Sequence, residues 1–396
     1  MKTSKWALSF SFVFPFLCSE AADSLNQPAV VAGNTAFAFD LYSQLRSKEG
    51  NLYLSPYSIS TALAMTYGGA RGNTALQMAK VLHFDLPQEK LHPVFAEMEK
   101  GLNAVQQKGQ VKLAVANSLW PQKDYKFLPG YIDLCKRNYG VSITPVDFVG
   151  ATDTARETIN TWVEGKTNEK IQELLKPDAV NRLTQLVLVN AIYFKGDWAS
   201  QFDKQLTQSE PFHVTAETSV DASLMHANRE FRYAETRDLQ LVEVPYADND
   251  LSMLILLPRK VDGLAELEKL LNQTNYTAWT KSLPSNRVHL ILPKFKATSD
   301  FSLRGTLSAL GMNDAFSAGA DFSGMDGTRE LFISDVIHEA FVELNEEGTE
   351  AAAATAVVMS RSAPTVFRAN HPFLFLIRDN RTGSILFLGR IENPTK

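Results

Sequence analysis

The sequence predicts an α+β fold, and three observations carry that expectation. Apolar residues recur at helical spacing through the first third of the chain. From about residue 186, short and nearly all-apolar runs take over. The chain then closes on two such runs joined by a turn-rich loop at 379–383. Helices first and strands later place helices against antiparallel or mixed sheets. No repeat, low-complexity tract or linker divides the chain, so one large domain is expected.

The elements follow in order. Lys2 and Lys5 precede an apolar stretch, 6–17, too short to span a bilayer. Ser19 and Ala21 put small residues where a signal peptidase reads, so residues 1–21 are expected to be a signal peptide and 22–396 the domain. Pro15 and the polar residues after the run oppose the alternative, a buried N-terminal helix. Removal takes away two lysines and one glutamate, moving the net charge from −5 to −6. The expected location is secreted and extracellular, or periplasmic in a bacterium. Cys18 leaves with the signal, and Cys135 alone cannot form an internal disulfide.

A helix is expected over 34–45, with Asn34 at its start and Phe37, Leu41 and Leu45 four residues apart. Ser55 and Pro56 open a second, which Gly68 and Gly69 end. A third pattern covers 153–175. The runs 186–194, 251–258 and 287–293 read as strands covered on both faces. Two more, 373–378 and 385–389, form the closing hairpin.

Composition and motifs exclude several classes. The net charge of −5 has no run of one sign, which disfavours nucleic acid. Zinc, phosphate-loop and dinucleotide motifs are absent, so no metal or cofactor is expected. The nucleophile-elbow motif of hydrolases is absent too, and no catalytic residue is assigned. Asn272, Asn275 and Asn380 begin glycosylation sequons.

The most informative segment is 346–364. It opens with two glutamates and Gly348, continues through alanine, threonine and valine, and reaches Arg361 and Ser362. Charged residues stop after Glu350 and return only at Arg361. The strand-like alternation of 340–345 leads straight into it. Gly348 permits backbone angles closed to other residues, so it can act as a hinge beside Glu347. Thr349, Ala351, Ala353 and Thr355 would share one face of an extended strand, and all are small. Such a segment suits an exposed loop in one state and a buried strand in another. Taken alone, its alanines would equally suit a surface helix. From Gly348 to Arg361 it spans roughly 43 Å extended.

Five stretches, 51–60, 190–198, 292–296, 337–350 and 371–377, together resemble the serpin family of serine-protease inhibitors. The resemblance covers essentially the whole mature chain. It implies about nine helices, three β-sheets and an exposed reactive-centre loop near the C-terminus, here about 346–366. It further implies that a protease cuts the loop as bait, that an acyl-enzyme forms, and that the freed loop inserts as a strand into the largest sheet. By resemblance, Ser55, Ser58, Asn190 and His338 form a polar switch where that sheet parts, and Trp198 lies under the point of insertion. A Ser–His triad is the sharper alternative for these residues, but no acid partner is evident.

The family's spacing from Gly348 puts the cut after Ser362, whereas counting back from Pro372 puts it after Arg361. Arginine suits the acidic pocket of a trypsin-like protease, which favours Arg361–Ser362. Met359–Ser360 and Ser362–Ala363 remain alternatives. The expected partner is a trypsin-like serine protease held in a covalent complex. The region 87–110 mixes lysines with glutamates and lacks arginine, so heparin activation is not expected, and neither is membrane binding. A monomer is expected, with polymers forming on heating. The competing readings are a non-inhibitory carrier or chaperone of the same fold and an unrelated hydrolase.

Overall fold

The computed structural model describes residues 16–141, 143–347 and 365–396. The helices are α1 (Phe16–Leu45), α2 (Pro56–Tyr67), α3 (Gly72–Leu82), α4 (Gln88–Gln107), α5 (Pro129–Tyr139) and α6 (Thr152–Lys166). Shorter ones follow: α7 (Leu264–Leu270), α8 (Gln273–Thr280), α9 (Arg304–Leu310) and α10 (Ser323–Asp326), the last a single turn. The first strands are β1 (Leu52–Leu54), β2 (Val111–Pro121), β3 (Leu186–Gly196) and β4 (Gln208–His213). Next come β5 (Ser219–Glu235), β6 (Leu239–Pro245), β7 (Leu251–Pro258) and β8 (Ser285–Pro293). The last are β9 (Phe295–Ser302), β10 (Asp335–Leu344), β11 (Thr365–Arg368), β12 (Phe373–Asp379) and β13 (Ile385–Ile391).

Four strands form one sheet in the order β2-β3-β10-β9. Its central pair, β3 and β10, is parallel, and both outer pairs are antiparallel. The other nine strands join along one hydrogen-bonded path. The long strand β5 makes that path continuous: its start pairs with β4, its middle with β8 and its end with β6. Two of the three expected sheets therefore share β5 and count as one by hydrogen bonding.

The four-stranded sheet separates two apolar clusters. Leu186, Leu188, Ile192 and Phe194 of β3 join the main core on the α2 side. Val187, Val189 and Ala191 join a smaller cluster with Ile159 and Val163 of α6. This alternation follows from the two-residue period of a strand. Both faces are covered, which is why β3 reads as a continuous apolar run. Helix α2 is buried along its whole length.

Two helix boundaries differ from expectation. Helix α6 ends at Lys166 rather than near 175, because Asn168 and Glu169 adopt left-handed backbone angles (φ 53° and 60°). Helix α1 starts at Phe16 rather than Asn34 and contains Pro28. It crosses the expected cleavage point after Ala21. Among the described residues, no helix is long and apolar enough to cross a membrane.

Candidate functional site

Asn117, Asn190, His338 and Phe301 stand opposite one another in one row across β2, β3, β10 and β9. Asn190 and His338 occupy alternation positions that face the main core, where their neighbours are apolar. The N-terminus of α2 meets this row. Ser55 caps α2, its Oγ accepting from the Ser58 N–H at 3.2 Å and donating to the Leu386 carbonyl at 2.7 Å. Ser58 Oγ accepts from Asn190 Nδ2 at 2.5 Å, and the same amide donates to Asn117 Oδ1.

His338 completes the cluster. Its Nδ1–H donates to Asn190 Oδ1, so its Nε2 lone pair accepts the Ser55 N–H at 3.1 Å. The imidazole is therefore neutral, since a second ring proton would face the Ser55 donor. Burial pushes its pKa down to about 3, against the pull of its bond to Asn190. The Phe301 ring lies nearly parallel to the imidazole, centroids 6.2 Å apart. The structure thus unites the four expected switch residues, and it adds Asn117 and Phe301. Asn117 was missed in the sequence, where it is one of three polar residues in β2 with Lys112 and Ser118, and only its pairing opposite Asn190 singles it out. Among the described residues, no carboxylate is a hydrogen-bond partner of His338 or Ser55, so these side chains do not form a Ser–His–acid triad.

Trp198 stands apart from this cluster, at the end of β10. Its Nε1–H donates to the Asn345 carbonyl at 2.9 Å, and its ring stacks on Tyr246 at 4.6 Å. The β10–β3 ladder ends at Val342↔Phe194, while the β10–β9 ladder continues to Leu344↔Phe295. Just beyond, Glu346 is 5% exposed. It pairs with Lys294 at 2.9 Å and accepts from Thr207 Oγ1 at 2.8 Å. Burial pushes the Glu346 carboxyl up, but the bonds from Lys294 and Thr207 prevail and hold it below the usual range. Glu347 pairs with Lys204, and its N–H donates to Asn345 Oδ1 at 3.0 Å. The anchoring role of Glu346 was missed in the sequence, where Lys294 lies 52 residues upstream and nothing local pairs the two.

Gly348, Thr349, Ala351, Ala353, Thr355, Arg361 and Ser362 lie outside the described residues. The chain is described again at β11, which pairs in parallel with β8. Arg368 at the end of β11 binds Glu210 at 2.6 Å, and Glu210 also accepts from His226 at 2.7 Å. Among the described residues, no group of three or more His, Cys, Asp or Glu side chains is arranged to hold a metal.

The family model described as Serpin (serine protease inhibitor) matches residues 32–394. The chain belongs to the serpin family. It is 44% identical to the leukocyte elastase inhibitor of Xenopus tropicalis, over 91% of this chain and 98% of that protein. It is likewise 44% identical to human Serpin B3, with the same shares covered. Uncleaved ovalbumin shares its fold at a TM-score of 0.85 and 34% identity, covering 92% of this chain and 100% of that one. The expected serpin α+β architecture is thus present, and the family is described as one of serine protease inhibitors. Within this serpin, the row from Asn117 to Phe301 crosses every strand of the four-stranded sheet.

Proposed function

We propose that this serpin is a secreted suicide inhibitor of trypsin-like serine proteases, cut at Arg361–Ser362. The carrying observation is the parallel β3–β10 pair, closed from Asp335↔Val187 to Val342↔Phe194, with β10 running directly toward the small-residue segment. A strand that leaves β10 and folds back runs antiparallel to it. Between two mutually parallel strands, such a strand is antiparallel to both neighbours. Insertion would therefore replace one slanted parallel ladder with two antiparallel ones, the more stable pairing per residue. Thr349, Ala351, Ala353 and Thr355 would face inward and meet no steric or charge penalty.

In this mechanism the protease serine attacks the Arg361 carbonyl, and the amine of Ser362 leaves. The arginine stays esterified to the enzyme while the loop, hinged at Glu347 and Gly348, enters the sheet. Release of Trp198 and Glu346 from their partners and exchange of the Ser55, Ser58, Asn190 and His338 bonds would accompany the parting of β3 and β10. Small inward residues separate this reading from a carrier of the same fold, which needs no insertion-competent segment. Secretion rests on residues 1–21. Their loss would trim α1 ahead of Val30 and Val31, which are buried in the main core.

Mixing the protein with trypsin should give a covalent complex that survives SDS, together with a released peptide beginning at Ser362. Clean cleavage with no complex would reject inhibition. A peptide beginning at Ser360 or Ala363 would move the bond to one of the alternatives. The frog relative is named for inhibition of leukocyte elastase, so a complex with elastase and none with trypsin would favour Met359–Ser360. Arg361→Ala should abolish the trypsin complex; an undiminished band would displace Arg361 from its role.

A further inference from the structure

We propose that the hollow between the start of β6 and α7 binds an amphiphilic organic anion, an apolar chain with one negatively charged head. The cavity measures about 460 Å³, within the range of roughly 300–1,000 Å³ usual for such sites. Leu239 and Leu267 are buried in its wall, and Leu270 is 43% exposed at its edge. Around them stand Arg237, Arg259, Lys260 and Lys269, with Asp238 and Glu266 in the same lining and Glu235 beside it, four cations against three acids. Arg259 is paired with Glu235 and Lys269 with Glu266. Among the described residues, Arg237 and Lys260 have no carboxylate at ion-pair distance. An apolar floor under cations that outnumber their acids is the complement of an amphiphile with an anionic head.

The site also reaches the far anchor of the reactive segment. Arg259 donates to Glu235 Oε2 at 2.7 Å, and the Tyr233 hydroxyl donates to the same oxygen. Gln240 Nε2 donates to the Tyr233 oxygen at 2.8 Å and to the Val366 carbonyl of β11 at 3.1 Å. Burial and Glu235 push Tyr233 up to about 12, so its hydroxyl keeps its proton at neutral pH. A head group that takes Arg259 from Glu235 therefore disturbs a chain of bonds ending on the backbone of β11. The consequence for protease trapping rests on the inhibitor reading above; the binding itself does not.

The test is calorimetry on the full chain with decanoate, and with decan-1-ol as its uncharged counterpart. Saturable decanoate binding is expected, weakened at least tenfold in Arg237→Ser/Lys260→Ser and for the alcohol. No saturable binding, or equal affinity in the double variant or for the alcohol, overturns the site. Attachment to anionic phosphatidylserine vesicles without decanoate binding also overturns it, in favour of a membrane surface. Decanoate should change amide exchange in 365–368 several-fold in the unaltered protein. It should do so no longer in Gln240→Leu, which keeps its affinity. Unchanged exchange in the unaltered protein overturns the coupling. No protease is present in these measurements, so a protein that binds decanoate but fails to trap trypsin refutes the inhibitor reading alone.

Discussion

Neighbouring side chains on β10 face opposite sides of the sheet and answer to pH in opposite directions. His338 faces the main core with a pKa near 3, so between that value and its unfolded value of about 6.5 the unfolded chain holds more protons. Its contribution to stability is lost as pH falls below about 6.5, at up to about 1.4 kcal/mol per unit. Glu339 is raised to about 7, first by burial and then by Asp300. Its folded form holds more protons between about 4.5 and 7, so acid favours folding through that window. The two oppose one another there, and below about 4.5 only the histidine continues to cost stability. In His338→Gln the melting temperature should fall less steeply between pH 4.5 and 3. An unchanged slope would assign the acid response elsewhere. Glu346→Ala tests the other end of β10. It strips Lys294 and Thr207 of their partner, and unfolding should cost about 2 kcal/mol less. Heated samples of this variant should form polymers at a lower temperature; an unchanged melting curve would deny Glu346 a fastening role.

The decisive element is the segment after β10. Its composition was readable because the proposed insertion needs small, uncharged residues on the face turned inward. Thr349→Arg would carry a charge into that face and slow insertion, while hydrolysis of the ester would keep its pace. Trypsin should then cleave this variant and turn over, with the number of inhibitor molecules consumed per enzyme rising several-fold. Full trapping at unchanged stoichiometry would sink the hinge assignment. Other elements were less readable. Helix α6 looked longer because the apolar spacing continues past Lys166, into buried Ile171, Leu174 and Leu175 on irregular chain. Apolar periodicity reports burial, and here tertiary packing buries a loop as well as a helix. The opposite error occurred in α1, whose residues before Asn34 lack a clean apolar stripe.

For the whole molecule, the closed parallel pair at the centre of the four-stranded sheet is the feature on which the proposed mechanism turns. If the loop adds a strand there after cleavage, the product gains a ladder on each side, together with buried side chains. Cleaved protein should therefore melt at a far higher temperature than intact protein in the same buffer. Coincident melting curves would remove the proposed source of the trapping work.

Residue order alone carried the α+β class, the buried character of β3, the run of small residues at alternate positions 349–355 and the arginine at 361. Each of these follows from residue type at a short spacing, which strand and helix geometry convert directly into a face. Tertiary structure alone decided which distant residues share a site. Asn117 reaches Asn190 because β2 and β3 pair in one register, and Lys294 reaches Glu346 because β9 and β10 do. Strand register depends on the packing of the entire core, and no local pattern encodes it.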